Sequence, residues 1–201
     1  MIYVMRHGQS TVNLQRVITC RVLEGDLTAA GRAQSANAAR WLAAKGVTQV
    51  YHSPFHRAAQ TGDIIAHHLG VTPVSIDSLR EIDGGELEGR SDEEAWAAWI
   101  SIYRRWLACD WEAQFPGGES YREGFERYAG FLRGVGENAV VVTHGGITCS
   151  VLPYLCVNAA ALQGERLLDY TGIIALERYD SGRFICRAWN SLEHLVSVES
   201  N

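Results

Sequence analysis

The chain has 201 residues, 47% of them hydrophobic and 20% charged, which suits one domain with a proper core and excludes the disordered class. With 18 Lys+Arg against 23 Asp+Glu, the formal charge of −5 gives no support to a general nucleic-acid or membrane-surface role. The 5 cysteines lack any CxxC pair and point to reduced thiols rather than a disulfide framework or a zinc site.

The first element is Met1-Ile2-Tyr3-Val4-Met5, an apolar run without polar alternation, as in a strand covered on both faces. It stops at Arg6-His7-Gly8. In open α/β sheets, sites form beyond the carboxyl ends of strands, and Gly8 lets the backbone turn there and approach a ligand. His7 therefore stands where a reactive group belongs, although a single histidine after a strand is more often a structural residue. With this strand starting at residue 2, no signal segment is expected, and no apolar run has transmembrane length; a cytoplasmic location is the expectation.

Residues 9–25 are polar and aperiodic and read as a loop with at most one short helical turn, a place where function tends to sit. Thr28 caps a helix running through Ala33, Ala36, Ala39 and Leu42 to Gly46, and Gln49–Ser53 is the second strand. Ser53-Pro54 reads as the next helix start, which puts Arg57 in the first turn, where free amides and the helix dipole favour an anion. That helix ends at Gly70, and Val74-Ser75-Ile76 is a short third strand. Leu79–Gly89 is a loop dense in carboxylates and glycines; at most one or two of Glu81, Asp83, Glu86 and Glu88 are expected to carry chemistry.

Ser91 with Glu94 reads as a capping box for a helix bearing Trp96, Trp99, Ile100, Tyr103 and Leu107. Helical spacing assigns these aromatic residues to packing, with a wall of a substrate pocket as the alternative. Arg104 and Arg105 read as a solvated face. After the turn at Phe115–Glu119, Ser120 and Glu123 form another capping box, and Tyr121, Phe125, Tyr128, Ala129 and Leu132 share one helical face. Ala139–Thr143 is the clearest buried strand, and it ends in His144-Gly145-Gly146, repeating the layout of the opening; a helix with Ile147, Val151 and Leu155 follows. Residues 172–180 and 183–189 read as a closing antiparallel hairpin.

Strands alternating with helices bring the C-terminal ends of parallel strands to one sheet edge. Arg6, His7, Arg57 and His144 fall at that edge, a set suited to a tetrahedral phosphate: arginines for charge, a protonated histidine and helix amides, including that of Gly145, as further donors. His144 as a metal ligand is the alternative, but no carboxylate-rich or Cys/His spacing accompanies it, which argues against zinc.

At these residues the chain resembles the histidine phosphatase superfamily, in the branch containing cofactor-dependent phosphoglycerate mutase and its phosphatase relatives. Arg6-His7-Gly8 with Ser10 and Asn13 is similar to the RHGxS/T signature, residues 27–34 to LTxxGxxQ, and residues 53–61 to SxxxRAxQT. Leu79-Arg80-Glu81 with Gly84 and Glu88-Gly89 resembles the acid loop, residues 116–120 the PxGES turn, Thr143–Gly146 the second-histidine motif, and Asn190–Leu195 the C-terminal NDTxHL segment. Two positions depart from the pattern: Thr19-Cys20-Arg21 replaces a Gly-containing segment, and Gly62 replaces alanine.

The resemblance implies a three-layer α/β/α sandwich: a mostly parallel sheet, helices on both faces, and a single domain over 1–201 with a lid-like insertion at about 83–118 over the site. It implies His7 as a nucleophile that becomes phosphohistidine, and Glu81 as the general acid, a role calling for a raised pKa near neutral pH. Arg6, Asn13, Arg57, His144 and Gly145 would hold the phosphoryl group, with no metal or cofactor. The reading is a phosphomonoesterase of a small metabolite, with α-ribazole phosphate, a sugar phosphate or broad specificity all open. A phosphoglycerate mutase is the runner-up, kept by Tyr103-Arg104-Arg105 and opposed by Ile82-Asp83-Gly84 after the acid. A non-catalytic binding protein comes third. The expected partner is the small ester alone, with neither nucleic acid nor membrane, and homodimerisation is left open.

Overall fold

The computed structural model describes residues 1–21, 25–159 and 168–196. Its strands are β1 (Ile2–Arg6), β2 (Gln49–His52), β3 (Val74–Ser75), β4 (Ala139–Thr143), β5 (Ile173–Arg178) and β6 (Phe184–Ser191), joined in one sheet in the order β3-β2-β4-β1-β5-β6. Pairings among the first four are parallel, while β5 runs antiparallel to both β1 and β6. The expected mostly parallel sheet with a closing hairpin is what forms.

Two apolar layers result from the period of two in the central strands. Tyr3 and Met5 face Leu42 of α2 (Ala29–Ala44) and Ala58 and Ile65 of α3 (His56–Leu69). Ile2 and Val4 face the other way, toward a core shared with α4 (Glu93–Leu107), α5 (Tyr121–Gly134) and α6 (Gly145–Leu155). Helices therefore cover both faces of the sheet. One short turn, α1 (Thr11–Leu14), interrupts the loop after β1.

Register positions the site. Ile2 pairs with Ala139 and Arg6 with Thr143, so the next residues, His7 and His144, leave adjacent strands side by side. Gly8 is needed for close approach rather than for an unusual backbone: an added Cβ would lie 2.6 Å from the Gly31 carbonyl oxygen on α2. At Gly62, a Cβ would lie 2.9 Å from that of His52, so the departure from alanine accommodates the histidine of β2.

Thr28 and Ser120 cap their helices as expected, accepting from the N–H groups of Gly31 and Glu123. Two other starts are displaced. α3 begins at His56 with Phe55 as its cap residue, because the Ser53 hydroxyl accepts the Phe55 N–H and packs against His144 instead. α4 is capped by Asp92 rather than Ser91, its carboxylate accepting from Ala95 N–H at 3.0 Å while also pairing with Arg90.

Candidate active site

Arg6, His7, Asn13, Arg57, Glu81 and Gly145 line one cavity of about 420 Å³ beyond the strand ends. His144 is fully buried against His7, their ring centroids 5.2 Å apart. The site residues expected from sequence are thus brought together.

His7 is 2% exposed. Its Nδ1 lies 2.7 Å from the Gly8 carbonyl, which can only accept, so Nδ1 carries the proton and Nε2 presents a lone pair. Arg57 Nε donates to that lone pair at 3.1 Å, and Arg57 Nη2 donates to the Thr19 carbonyl at 3.0 Å. Burial first, then Arg57 and Arg6, pushes His7 well below the ordinary histidine range, against an upward pull from the Gly8 bond. The neutral ring, with Nε2 unprotonated, is therefore the resting form. Thr61 fastens this turn to α3 by accepting the Gly8 N–H and donating to the Arg57 carbonyl.

Arg6 is aimed by two groups that sequence gave no reason to single out. Its Nη1 donates to the Leu168 carbonyl at 2.8 Å, and its guanidinium carbon lies 4.2 Å from the Tyr170 ring centroid. Arg6 Nε is buried and has no acceptor. A guanidinium N–H that no protein group accepts is available to an oxygen of an anion.

His144 departs from expectation. Burial, then Arg57, His7, Arg6 and Arg127, pushes it well below the ordinary range, so it is neutral rather than a charged donor. Its Nε2 lies 2.8 Å from Ser53 Oγ, and its Nδ1 is buried without a partner. The Ser53 hydroxyl proton can be donated to Nε2, which leaves Nδ1 to carry the imidazole hydrogen as an uncharged donor.

Asn13 has its orientation forced. The Ser10 N–H can only donate, at 3.3 Å, so the atom facing it is the amide oxygen, which also accepts from Ser10 Oγ at 2.7 Å. Its amide nitrogen is the remaining donor of a side chain that lines the cavity.

Of the four carboxylates in the acid loop, only Glu81 lines the cavity. Asp83 pairs with Arg21 and accepts from the Gly85 N–H, and Glu88 accepts from Cys20 N–H. Glu81 Oε1 accepts from the N–H groups of Ile82 and Ile147, and Oε2 from that of Gly146. It thereby crosses the start of α6, and an added Cβ at Gly146 would lie 2.8 Å from Oε1. Behind it, Arg127 donates to the carbonyls of Ser78, Arg80 and Glu81 while paired with Glu119. Arg127 and Glu119 thus support the acid loop, and Arg127 is the one the sequence reading missed. The PxGES resemblance marked Glu119, but nothing in the pattern of α5 marked its partner.

The aromatic stretch divides its work. Trp106 is fully buried, its Nε1 donating to the Ala113 carbonyl, whereas Trp96 and Trp99 line the cavity. Arg104 is exposed and Arg105 pairs with Asp110 at 2.7 Å; neither lines the cavity. Among the described residues, no group of three or more His, Cys, Asp or Glu is arranged to hold a metal ion, and no helix is long and apolar enough to cross a membrane.

A family model of the histidine phosphatase superfamily (branch 1) matches residues 2–192. Phosphoglycerate mutase-like protein 4 of Arabidopsis thaliana is 31% identical over 202 residues, covering 96% of this chain and 86% of that protein. A Hydrogenobacter thermophilus protein named "Putative phosphoserine phosphatase 2" is 34% identical over 149 residues, covering 72% of this chain and 73% of its own. Among solved structures, a mycobacterial glucosyl-3-phosphoglycerate phosphatase in complex with VO3 superimposes with a TM-score of 0.77 at 23% identity, covering 94% of this chain and 98% of that one.

Proposed function

This chain belongs to the histidine phosphatase superfamily and is an enzyme of the phosphatase type; on that premise we propose that it hydrolyses a small phosphomonoester, without a metal, through phosphohistidine at His7. The observation that carries the reading is that His7, with Nε2 unprotonated, lines the same cavity as Arg6, whose buried Nε–H has no acceptor in the protein.

A phosphoryl group entering the cavity takes the hydrogen bond from Arg57 Nε that His7 Nε2 now receives, freeing the lone pair for in-line attack. As the N–P bond forms and the ester P–O bond breaks, Arg6, Arg57, the neutral His144 and the Asn13 amide hold the equatorial oxygens. The Gly145 N–H, at the start of α6, adds a donor that Glu81 does not occupy. Glu81 gives its proton to the leaving alkoxide; Oε2, which accepts one backbone bond against two at Oε1, is the atom placed to carry it. In the second half, the Glu81 carboxylate takes a proton from water as that water attacks phosphorus and the N–P bond breaks.

A hydrolase rather than a mutase is favoured by the position of Arg104 and Arg105, which turn to solvent and to Asp110 and offer nothing to a retained phosphoglycerate. The test is to quench turnover of a ³²P-labelled ester in EDTA and look for acid-labile, base-stable label. The label is expected on His7, with net phosphate release. His7→Ala should lose both, with turnover falling by at least about a thousandfold. Substantial turnover by His7→Ala removes the proposal, and 2-phosphoglycerate formation from 3-phosphoglycerate with little release makes the enzyme a mutase.

A further inference from the structure

We propose that the alcohol half of the substrate is uncharged and carries a flat aromatic or broadly apolar group, so that the enzyme prefers phosphomonoesters of such alcohols over those of hydroxy acids and amino acids. This rests on the phosphatase reading above and concerns the other end of the same cavity.

That end is walled by Val17, Ile18, Cys20, Trp96, Trp99 and Tyr103, the Tyr103 hydroxyl donating to the Gly146 carbonyl at 3.2 Å. The cations lining the cavity among the described residues are Arg6 and Arg57, and both are held at the phosphoryl end, by Leu168 and Tyr170 and by His7 and Thr19. Arg21, next to Cys20, is spent on Asp83 at 2.5 Å and on the Gly117 carbonyl at 2.6 Å. A substrate carboxylate at this end would therefore lose water without gaining a cation from the described residues.

The aromatic wall is also fixed in place. Trp96 Nε1 donates to the Arg16 carbonyl at 2.9 Å, Trp99 packs on Phe115 with centroids 4.6 Å apart, and the two indoles meet edge to face at 6.5 Å. An added Cβ at Gly84 would lie 2.6 Å from the Trp99 ring, so the acid loop leaves space for that indole. Rings held this way can receive a flat group without first losing rotamer freedom.

The test compares kcat/KM for phosphate release in EDTA among alkyl esters: 2-phenylethyl phosphate, glycerol 1-phosphate as a small uncharged reference, 3-phosphoglycerate and O-phosphoserine, with p-nitrophenyl phosphate as an activity control. We expect 2-phenylethyl phosphate to exceed both carboxylate-bearing esters by at least about tenfold. Trp99→Leu should lower the phenylethyl value by about tenfold and the glycerol phosphate value by about twofold at most. Val17→Lys, on a partly exposed lining position, should raise 3-phosphoglycerate turnover by at least about fivefold by supplying a cation at this end, and it keeps the test alive if Trp99→Leu does not fold. Turnover of the carboxylate esters equal to or above that of 2-phenylethyl phosphate overturns the proposal while leaving the phosphatase intact. Silence on every ester, the control included, removes the phosphatase reading and this inference with it.

Discussion

At one end of the cavity, Arg6 and His7 leave β1, His144 leaves β4 one strand away, and Arg57 rises from the first turn of α3. At the other end, Trp96 and Trp99 come from α4, and Val17 to Cys20 come from the loop beyond α1. The first end is determined by sheet register: slipping β1 by one residue against β4 would separate the histidines and turn Tyr3 and Met5 into the wrong layer. The second end is determined by side-chain packing, which tolerates exchange of one ring for another shape. On the proposed function, chemistry is attached to sheet register and selectivity to side-chain packing.

Glu81 lies between the two ends, and its replacement sharpens the contrast most. Glu81→Gln keeps a carbonyl oxygen for one set of backbone donors but has no proton to give a leaving alkoxide. For alkyl phosphates we expect kcat to fall by about 10²–10⁴-fold, and for p-nitrophenyl phosphate by about tenfold or less, since nitrophenolate leaves without protonation. Steady-state rates on both esters decide it. An equal loss on both would mean that Glu81 serves only to hold the start of α6.

The phosphoryl end should also betray itself through pH. His7 and His144 are both pushed well below the ordinary histidine range. Above the unfolded-state value near 6.5, both forms of the chain hold these rings neutral and stability is unaffected. As pH falls below that, the unfolded chain binds protons that the folded one refuses, so stability decreases with acid down to the folded-state values. Activity should accordingly show no loss of the nucleophile near pH 6.5: the acid limb of kcat/KM is expected well below it, measured with a substrate whose own phosphate ionisation is corrected for. A limb at about 6.5 that persists after that correction would contradict the neutral pair.

Legibility followed the same division. The strand-end residues could be read because each sits where an apolar run stops, and because the motif resemblance covered most of the chain. Thr28 and Ser120 were readable as caps because each is followed at the right interval by the amide it accepts. At Ser91-Asp92 two adjacent residues are both competent caps, and the choice was made by Arg90 and by the phase that buries Ala95 and Trp106, which only packing reveals. Ser53 looked like a helix cap because its other use, at His144, is distant in sequence by 91 residues. Least legible were the supports that act through backbone: the Thr19 and Leu168 carbonyls leave no mark on side-chain pattern, and Arg127 acts on three more of them.

Tyr170 offers the finest cut between the two ends, because it is an aromatic residue serving the charged one. It precedes β5, and the neighbouring Thr171 N–H reaches the carbonyls of Arg6 and His7, while His194 holds the Thr171 hydroxyl at 2.9 Å. The C-terminal segment thus steadies the loop that carries the ring over Arg6. If the ring acts through its face, Tyr170→Phe should leave kcat/KM within about twofold, whereas Tyr170→Leu should lower it by about three- to fivefold, the loss expected of an exposed to half-desolvated cation–π contact. That loss should be shared by aromatic and aliphatic esters alike, since Arg6 meets only the phosphoryl group. A loss confined to aromatic esters would instead assign Tyr170 to the apolar wall, and the boundary between the two ends would move past Arg6.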